Sequence, residues 1–362
     1  MLSLERRAVD SRVMQWGSPL LALALTLLTG VLLFMALDRN PWEALRFFFL
    51  VPLSDAHGWA ELGLKTAPLL LCAAGLTLCY RARIWNIGAE GHFLMGALWA
   101  SVAALQLSEA SGFWVLPVVL LAGMLAGALW SGLAALLKTQ FHCNEILTTI
   151  MLNYIALNLL LYAVHGPLRD PMGFGFPQSE MFSAAALLPR LIPETRLHIG
   201  LLFALLAAVA VGVLFARTFI GFQLKVLGED ARAAAFAGFH ERRLIWLAML
   251  LAGALAGLAG ASEVTGPIGQ LVPQVSPGYG YTAIIVVFLG RMNALGIVLA
   301  SALLALTFMG GEMLQIAMNM PKAITGLFQG LLLFYLLTCD AFIHYRIRWT
   351  ARQRVPTVTQ EA

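Results

Sequence analysis

The stretch Cys79-Tyr-Arg-Ala-Arg-Ile-Trp-Asn-Ile-Gly-Ala-Glu-Gly-His-Phe-Leu-Met-Gly-Ala-Leu98 says the most about this chain. Two arginines and a Trp-Asn pair lead into a Gly-X-Glu-Gly turn, and apolar runs flank the segment on both sides. That setting predicts Asn86, Glu90 and His92 at or just inside a membrane, where ionisable groups are costly and mark a pathway or a wet site. Gly88, Gly91 and Gly96 supply the close approach that broken or tightly packed membrane helices need.

The chain as a whole has membrane composition. Of its 362 residues 60% are hydrophobic and only 12% charged, and the mean hydropathy is +0.82. The first apolar run is long and lacks a small-residue cleavage site, so it reads as a retained helix. The four cysteines (72, 79, 143 and 339) are scattered without metal-ligand spacing and read as small apolar packing residues. The net charge of +4 is explained by membrane orientation, with no need for nucleic acid.

Spans of roughly 20 apolar residues number about ten. They are expected near 18–37, 60–80, 87–107, 114–137, 144–164, 198–216, 244–262, 280–290, 294–311 and 322–341. The eighth is too short to cross alone and reads as broken or re-entrant. The expectation is an all-α, polytopic transmembrane helix bundle. Placing the N-terminus in the cytoplasm puts most Lys and Arg inside, from Arg6 and Arg7 through Arg81, Arg83 and Arg242–Arg243 to Arg352 and Arg354. Both termini are then cytoplasmic. Residues 1–17 form a cytoplasmic N-terminal segment, 18–345 the transmembrane domain and 346–362 a cytoplasmic tail.

Two loops are long enough for structure of their own. The outer one, 165–197, is charged and proline-rich and is expected to fold over the outer mouth. The inner one, 217–243, contains Gly221 to Gly238, which reads as one short amphipathic helix. Glu229 and Asp230 suit a helix N-terminus and Gly238 its end. It is either an ordinary interfacial helix or a docking element for a partner.

No catalytic constellation is present. The seven histidines are dispersed, and no HExxH, GxSxG or P-loop pattern occurs. Gly253, Gly257 and Gly260 read as helix packing. Polar residues inside apolar helices remain, most densely at Asn144-Glu-Ile-Leu-Thr-Thr-Ile-Met-Leu-Asn-Tyr154. Asn144 with Thr148, and Glu145 with Thr149, are i, i+4 pairs, and Asn153 continues the second face. Such a stripe needs partners, either in a neighbouring helix or in a water-filled path. Asn86, Glu90, Asn144, Glu145, Thr148, Thr149 and Asn153 are therefore the candidate substrate path, suited to a neutral solute. The breaker-rich Glu263–Gly269 and Ser276–Tyr281 read as an outer loop or re-entrant segment. An ion-coupled secondary transporter or channel for a small polar solute explains broken helices and midplane polar groups equally well.

The ordered motifs Trp85–His92, Asn144–Tyr154, the Gly228–Gly238 loop, Ser276–Gly280 and Gly290-Arg291 resemble permeases of ABC importers of the branched-chain amino acid/ribose type. The Asn144–Tyr154 string and Gly166-Pro-Leu-Arg-Asp-Pro171 look most like the nucleoside branch, often called simple-sugar permeases. The resemblance covers nearly the whole chain. It implies a type II importer-like subunit of a bacterial inner membrane, with no enzyme activity and no cofactor of its own, ATP being held by a partner. Implied partners are a cytoplasmic ATP-binding subunit, a second permease (paralogue or self) and an extracytoplasmic solute-binding protein, with the lipid bilayer around them and no nucleic acid. The 221–241 loop becomes the coupling helix, with Gly228, Glu229, Asp230, Ala233, Ala234 and Gly238 as its residues. Two departures stand out: His92 where the family often has Gln, and Glu229-Asp230 where it often has Asn-Pro.

Overall fold

A computed structural model describes residues 2–6 and 12–349 of the chain, with side chains described for 17–340. Residues 1 and 7–11 of the expected N-terminal segment, with Arg7, and 350–362 of the expected tail, with Arg352 and Arg354, lie outside the described residues. In chain order the elements are β1 (Leu2–Arg6), α1 (Arg12–Ala36), α2 (Pro41–Leu45), α3 (Ala56–Arg81), α4 (Ala89–Gln106), α5 (Val115–Phe141), α6 (Glu145–His165) and α7 (Gly200–Arg217). They continue with α8 (Phe219–Glu229), α9 (Ala231–Phe236), α10 (Glu241–Glu263), α11 (Tyr279–Leu289), α12 (Ala294–Met318), α13 (Ala323–His344) and β2 (Tyr345–Trp349). Each of the ten expected spans corresponds to a helix. Among the described residues eight helices are long and apolar enough to cross a membrane. The other two are α4, which carries Glu90, His92 and Gln106, and α11, whose 11 residues rise only about 16 Å. The polytopic all-α expectation therefore holds. The antiparallel β1–β2 ribbon is an addition that hydropathy did not show.

The described chain divides into two compact units. One gathers α1 and most of α13. There the Thr29 and Tyr335 hydroxyls meet at 2.8 Å, Ser18 donates to Asp340, and the Phe34 and Phe328 rings stack tilted at 5.7 Å. Polar side chains in two apolar helices thus satisfy each other.

The other unit, Glu43–Thr325, holds the rest. Its centre is α4, α5 and α10, drawn together by glycines. A Cβ at Gly127 would strike the main chain of Gly253 and Gly257, and one at Gly96 would strike that of Gly257. Lipid offers no hydrophobic drive between helices, so backbone approach of this kind supplies the van der Waals contact that holds them. The packing role read for Gly253 and Gly257 is the observed one.

Two local readings need correction. Gly310-Gly311, taken as the end of a span near 311, do not stop α12, which runs on to Met318. These glycines are contact points, Gly310 under the main chain of Phe48 and Gly311 under the Thr325 side chain. Phe48 belongs to a π-turn, Arg46–Leu50, that follows α2 and was not foreseen. The single helix expected over Gly221–Gly238 is two, because Asp230 is extended (φ −151°, ψ 116°) and its carboxylate caps α9 by accepting from the Arg232 N–H at 2.8 Å. Gly238 closes α9 in the left-handed region (φ +79°), as its position suggested.

Within this unit the ends at Arg81, Phe141, Arg217, Glu241 and Leu289 gather on one face with the starts of α6 and α12. The opposite face carries the start of α3, the end of α10 and the long 166–199 connection. That connection is pinned to the 265–271 segment by Leu188 N–H to Thr265 O (2.8 Å), Phe182 N–H to Gly269 O and Ser179 N–H to Leu271 O (both 2.9 Å).

Candidate functional site

The turn that opened the sequence reading is a hydrogen-bonded hub. After α3 ends at Arg81 the chain runs irregularly to Gly88, and an irregular backbone at membrane depth requires partners for every N–H and C=O. Asn86, fully buried, accepts the Gly88 N–H on Oδ1 at 2.8 Å, and its own carbonyl accepts the Tyr80 hydroxyl at 3.0 Å. From α6, Thr149 Oγ1 accepts the Ile87 N–H at 3.2 Å. Asn153 does more. Its Nδ2 donates to Ile87 O at 2.9 Å, and its Oδ1 accepts the Gly91 N–H at 2.8 Å. The same Nδ2 lies 3.4 Å from the Tyr281 hydroxyl on α11.

Glu90, in the first turn of α4, sends Oε2 across to the Gly280 N–H at 2.7 Å. Gly280 is the second residue of the half-length α11, so a buried carboxylate satisfies an orphan N–H at the positive end of that helix. A side chain at Gly280 would collide with the main chain of Ala89 and Glu90, so α11 begins directly against the hub. Ser276 Oγ accepts the Gly278 and Tyr279 N–H groups at 3.0 Å each and shapes the entry. The 269–278 segment with α11 therefore runs from the face that carries the end of α10 to the face that carries Leu289. It is an irregular stretch followed by a half-length helix; of the readings open for it this is a broken span and not a re-entrant one.

The remaining stripe residues do other work. Asn144 caps α6, its Oδ1 accepting from Ile146 N–H at 2.9 Å, and Thr148 bonds to its own helix backbone. Glu145 pairs with Lys138 at 2.7 Å. The face Glu145–Thr149–Asn153 is the one turned to the hub. Polar groups on it go to the main chain and to Lys138, so the structure brings together Asn86, Glu90, Thr149 and Asn153 and leaves Asn144 and Thr148 apart.

On the same face of the unit, α8 and α9 form an exposed projection. Gly228 lies under the carbonyl of Arg81 with no room for a Cβ, which fixes α8 to the end of α3. Phe239 packs edge-on against Phe219 and Phe222, with centroids 5.7 and 6.2 Å away. Ala234 is buried, whereas Phe236 beside it is 99% exposed. A charged cleft of about 360 Å³ opens between this projection and the 82–84 turn, lined among others by Arg83, Lys138, Glu229, Asp230, Arg232 and Glu241. Replacing Gly228 by alanine is expected to lower the stability of the purified chain by about 1–3 kcal/mol through overpacking. An unchanged melting temperature would show that this junction has slack.

A family model described as the permease component of a branched-chain amino acid transport system matches residues 60–337. The chain belongs to this permease family. It is 34% identical over 96% of its length to the glucose ABC transporter permease protein TsgB13 of Haloferax volcanii, covering 93% of that protein. It is 29% identical over 89% of its length to the guanosine ABC transporter permease protein NupP of Bacillus subtilis, again covering 93%. The nucleoside ABC transporter permease protein NupB of Lactococcus lactis is 29% identical over 79% of this chain and 80% of its own. The chain is an ABC permease subunit of the sugar and nucleoside importer family and a multi-pass membrane protein. Membership decides between the two transporter classes that the polar groups alone left open.

At the opposite face the permease carries charges that sequence reasoning did not join. Arg196 grips Glu61 with two hydrogen bonds at 2.8 and 2.9 Å, and Glu61 raises the affinity of that guanidinium for its proton. Lys65 pairs with Glu312 at 2.8 Å. Glu263, buried at the end of α10, lies within electrostatic reach of Lys65, Arg196 and Glu61. The partners are separated by up to 247 residues in the chain, so no local pattern could reveal them. Among the described residues no three His, Cys, Asp or Glu side chains are grouped to hold a metal.

Proposed function

We propose that this chain is the membrane subunit of an ATP-driven importer that carries a nucleoside or related simple sugar across a bacterial inner membrane. A cytoplasmic ATPase binds ATP and grips the α8–α9 projection, and both chain termini lie on the cytoplasmic side, the orientation that the distribution of Lys and Arg favours. A second permease and an extracytoplasmic solute-binding protein complete the assembly. The chain itself carries no cofactor.

The observation that carries this reading is the projection: a rigid pair of short helices, locked to the end of α3 through Gly228 and tipped by the bare Phe236. An apolar side chain left in water at a tip is a docking anchor. Movement imposed there reaches α3 directly, and through the 82–88 turn it reaches Asn153, Glu90 and α11. Nucleotide can shift the permease between two states only through contacts that differ in them, and this is the element placed to make such contacts. Asn86, Glu90, Thr149 and Asn153 then hold a gate beside the solute path, while Glu61, Lys65, Arg196 and Glu263 meet the solute at the outer mouth. Glucose and guanosine, named for two relatives, share hydroxyl-rich neutral chemistry that such groups can hydrogen-bond.

Ala234 faces inward, so a charge there tests folding more than docking. Phe236→Asp is the cleaner variant. It is expected to abolish co-purification of the ATPase and to cut nucleoside uptake at least tenfold while the melting temperature stays within a degree or so of the parent, because surface changes cost little stability. Full association and uptake in that variant would move the ATPase seat elsewhere. Ligand screening of the cognate solute-binding protein over nucleosides and sugars identifies the solute.

A further inference from the structure

A notch of about 180 Å³ lies where α3 and α7 end and α12 begins, on the face that also carries α8. Its polar lining is Arg81, Lys225 and Asn293, and no Asp or Glu contributes to it. The Arg81 guanidinium lies 4.6 Å above the Phe215 ring. Lys225 Nζ donates one hydrogen bond, to Phe215 O at 2.8 Å, which leaves two ammonium protons to give. Among the described residues neither cation has a carboxylate within ion-pair distance, and the Asn293 side chain does not cap α12. Two unneutralised cations in one notch therefore call for an anion.

The surroundings say which kind. Three membrane helices terminate here, so the notch lies at the boundary of the hydrocarbon. Gly212 and Ala294 bring α7 and α12 into close contact behind it. Along the same two helices Val209 and Val213, and Leu295 and Leu299, are each at least half exposed. These i, i+4 pairs form apolar tracks leading from a basic notch into the bilayer.

We propose that the notch binds the phosphate of an anionic phospholipid headgroup, with the acyl chains lying along α7 and α12. The cations account for preference over a zwitterionic lipid, and the apolar tracks for preference over a free anion. The inference does not rest on the identity of the solute, although Lys225 belongs to the α8 that is read above as part of the ATPase seat. Because Lys225 is on α8 and Arg81 ends α3, a bound headgroup also braces the junction at Gly228.

The test uses the purified full-length chain in detergent, titrated with dioctanoyl phosphatidylglycerol or dioctanoyl phosphatidylcholine and read by native mass spectrometry. One phosphatidylglycerol is expected to bind at least tenfold more tightly than phosphatidylcholine. Lys225→Gln is expected to reduce that preference about fivefold, the effect of one basic residue at a membrane surface. Lys225 is exposed, so this variant folds even if Arg81→Gln does not. Asn293→Asp, which adds a negative charge to the notch, is expected to lower the preference as well. An unchanged lipid preference in Lys225→Gln and Asn293→Asp overturns the proposal. So does displacement of phosphatidylglycerol by millimolar inorganic phosphate, which makes this a free-anion site, or a chain dimer that excludes the lipid.

Discussion

Replacing Asn153 by leucine is expected to lower the melting temperature sharply and to reduce the yield of folded protein. The substitution fits the helix and suits the lipid, so hydropathy alone forecasts a gain. In the structure, however, it strips the Gly91 N–H and the Ile87 carbonyl of their partner in one step. Each orphaned buried backbone group costs about 1–3 kcal/mol. Hydrogen bonds between membrane helices average below that range, so the combined loss is about 2–4 kcal/mol. Against a total stability of about 5–15 kcal/mol this is large. Monodisperse yield and melting temperature measure it. Asn153→Asp keeps the acceptor for Gly91 but loses the donor to Ile87, and falls between leucine and the parent. Parent-like yield and melting temperature for the leucine variant would mean that water or a shifted turn replaces Asn153.

Glu90 supports the second large effect. Glu90→Leu removes the acceptor at the start of α11 and places a bare N–H at the positive end of a buried half-helix. The expected cost is about 2–3 kcal/mol from the lost charge-assisted bond, with transport falling at least tenfold because the gate element loses its anchor. Glu90→Gln retains an oxygen for the Gly280 N–H and should recover most of the melting temperature and a good part of the uptake. A proton-relay role predicts the opposite pattern, a stable glutamine variant that does not transport. Uptake by the two variants, measured with their melting temperatures, distinguishes a cap from a relay.

Much of this molecule is readable from local pattern. Span positions follow from runs such as Leu20–Ala36, because each membrane helix satisfies its own backbone and must be apolar where it meets lipid. The half-length of α11 and the break before it were visible in Ser276-Pro-Gly-Tyr-Gly280. Gly310-Gly311 misled because a glycine pair is the same in sequence whether it ends a helix or admits a neighbour. The break at Asp230 was missed for a related reason: a carboxylate can begin a second short helix as readily as it decorates one. The polar stripe of α6 was correctly found, but whether it faced water or the main chain depended on what lay opposite.

Membrane class, helix order and the packing role of the glycines in α10 are thus legible in the chain's local pattern. These properties belong to single segments, set by transfer of side chains to hydrocarbon and by the backbone's need for internal hydrogen bonds. The pairings between distant segments emerge only in the folded chain. Folding joined Asn153 to Ile87 and Gly91, Glu90 to α11, Gly228 to the end of α3, and Arg81 and Lys225 to one notch. A polar residue in an apolar helix announces that it needs a partner, and the partner's identity depends on which helix the fold places beside it.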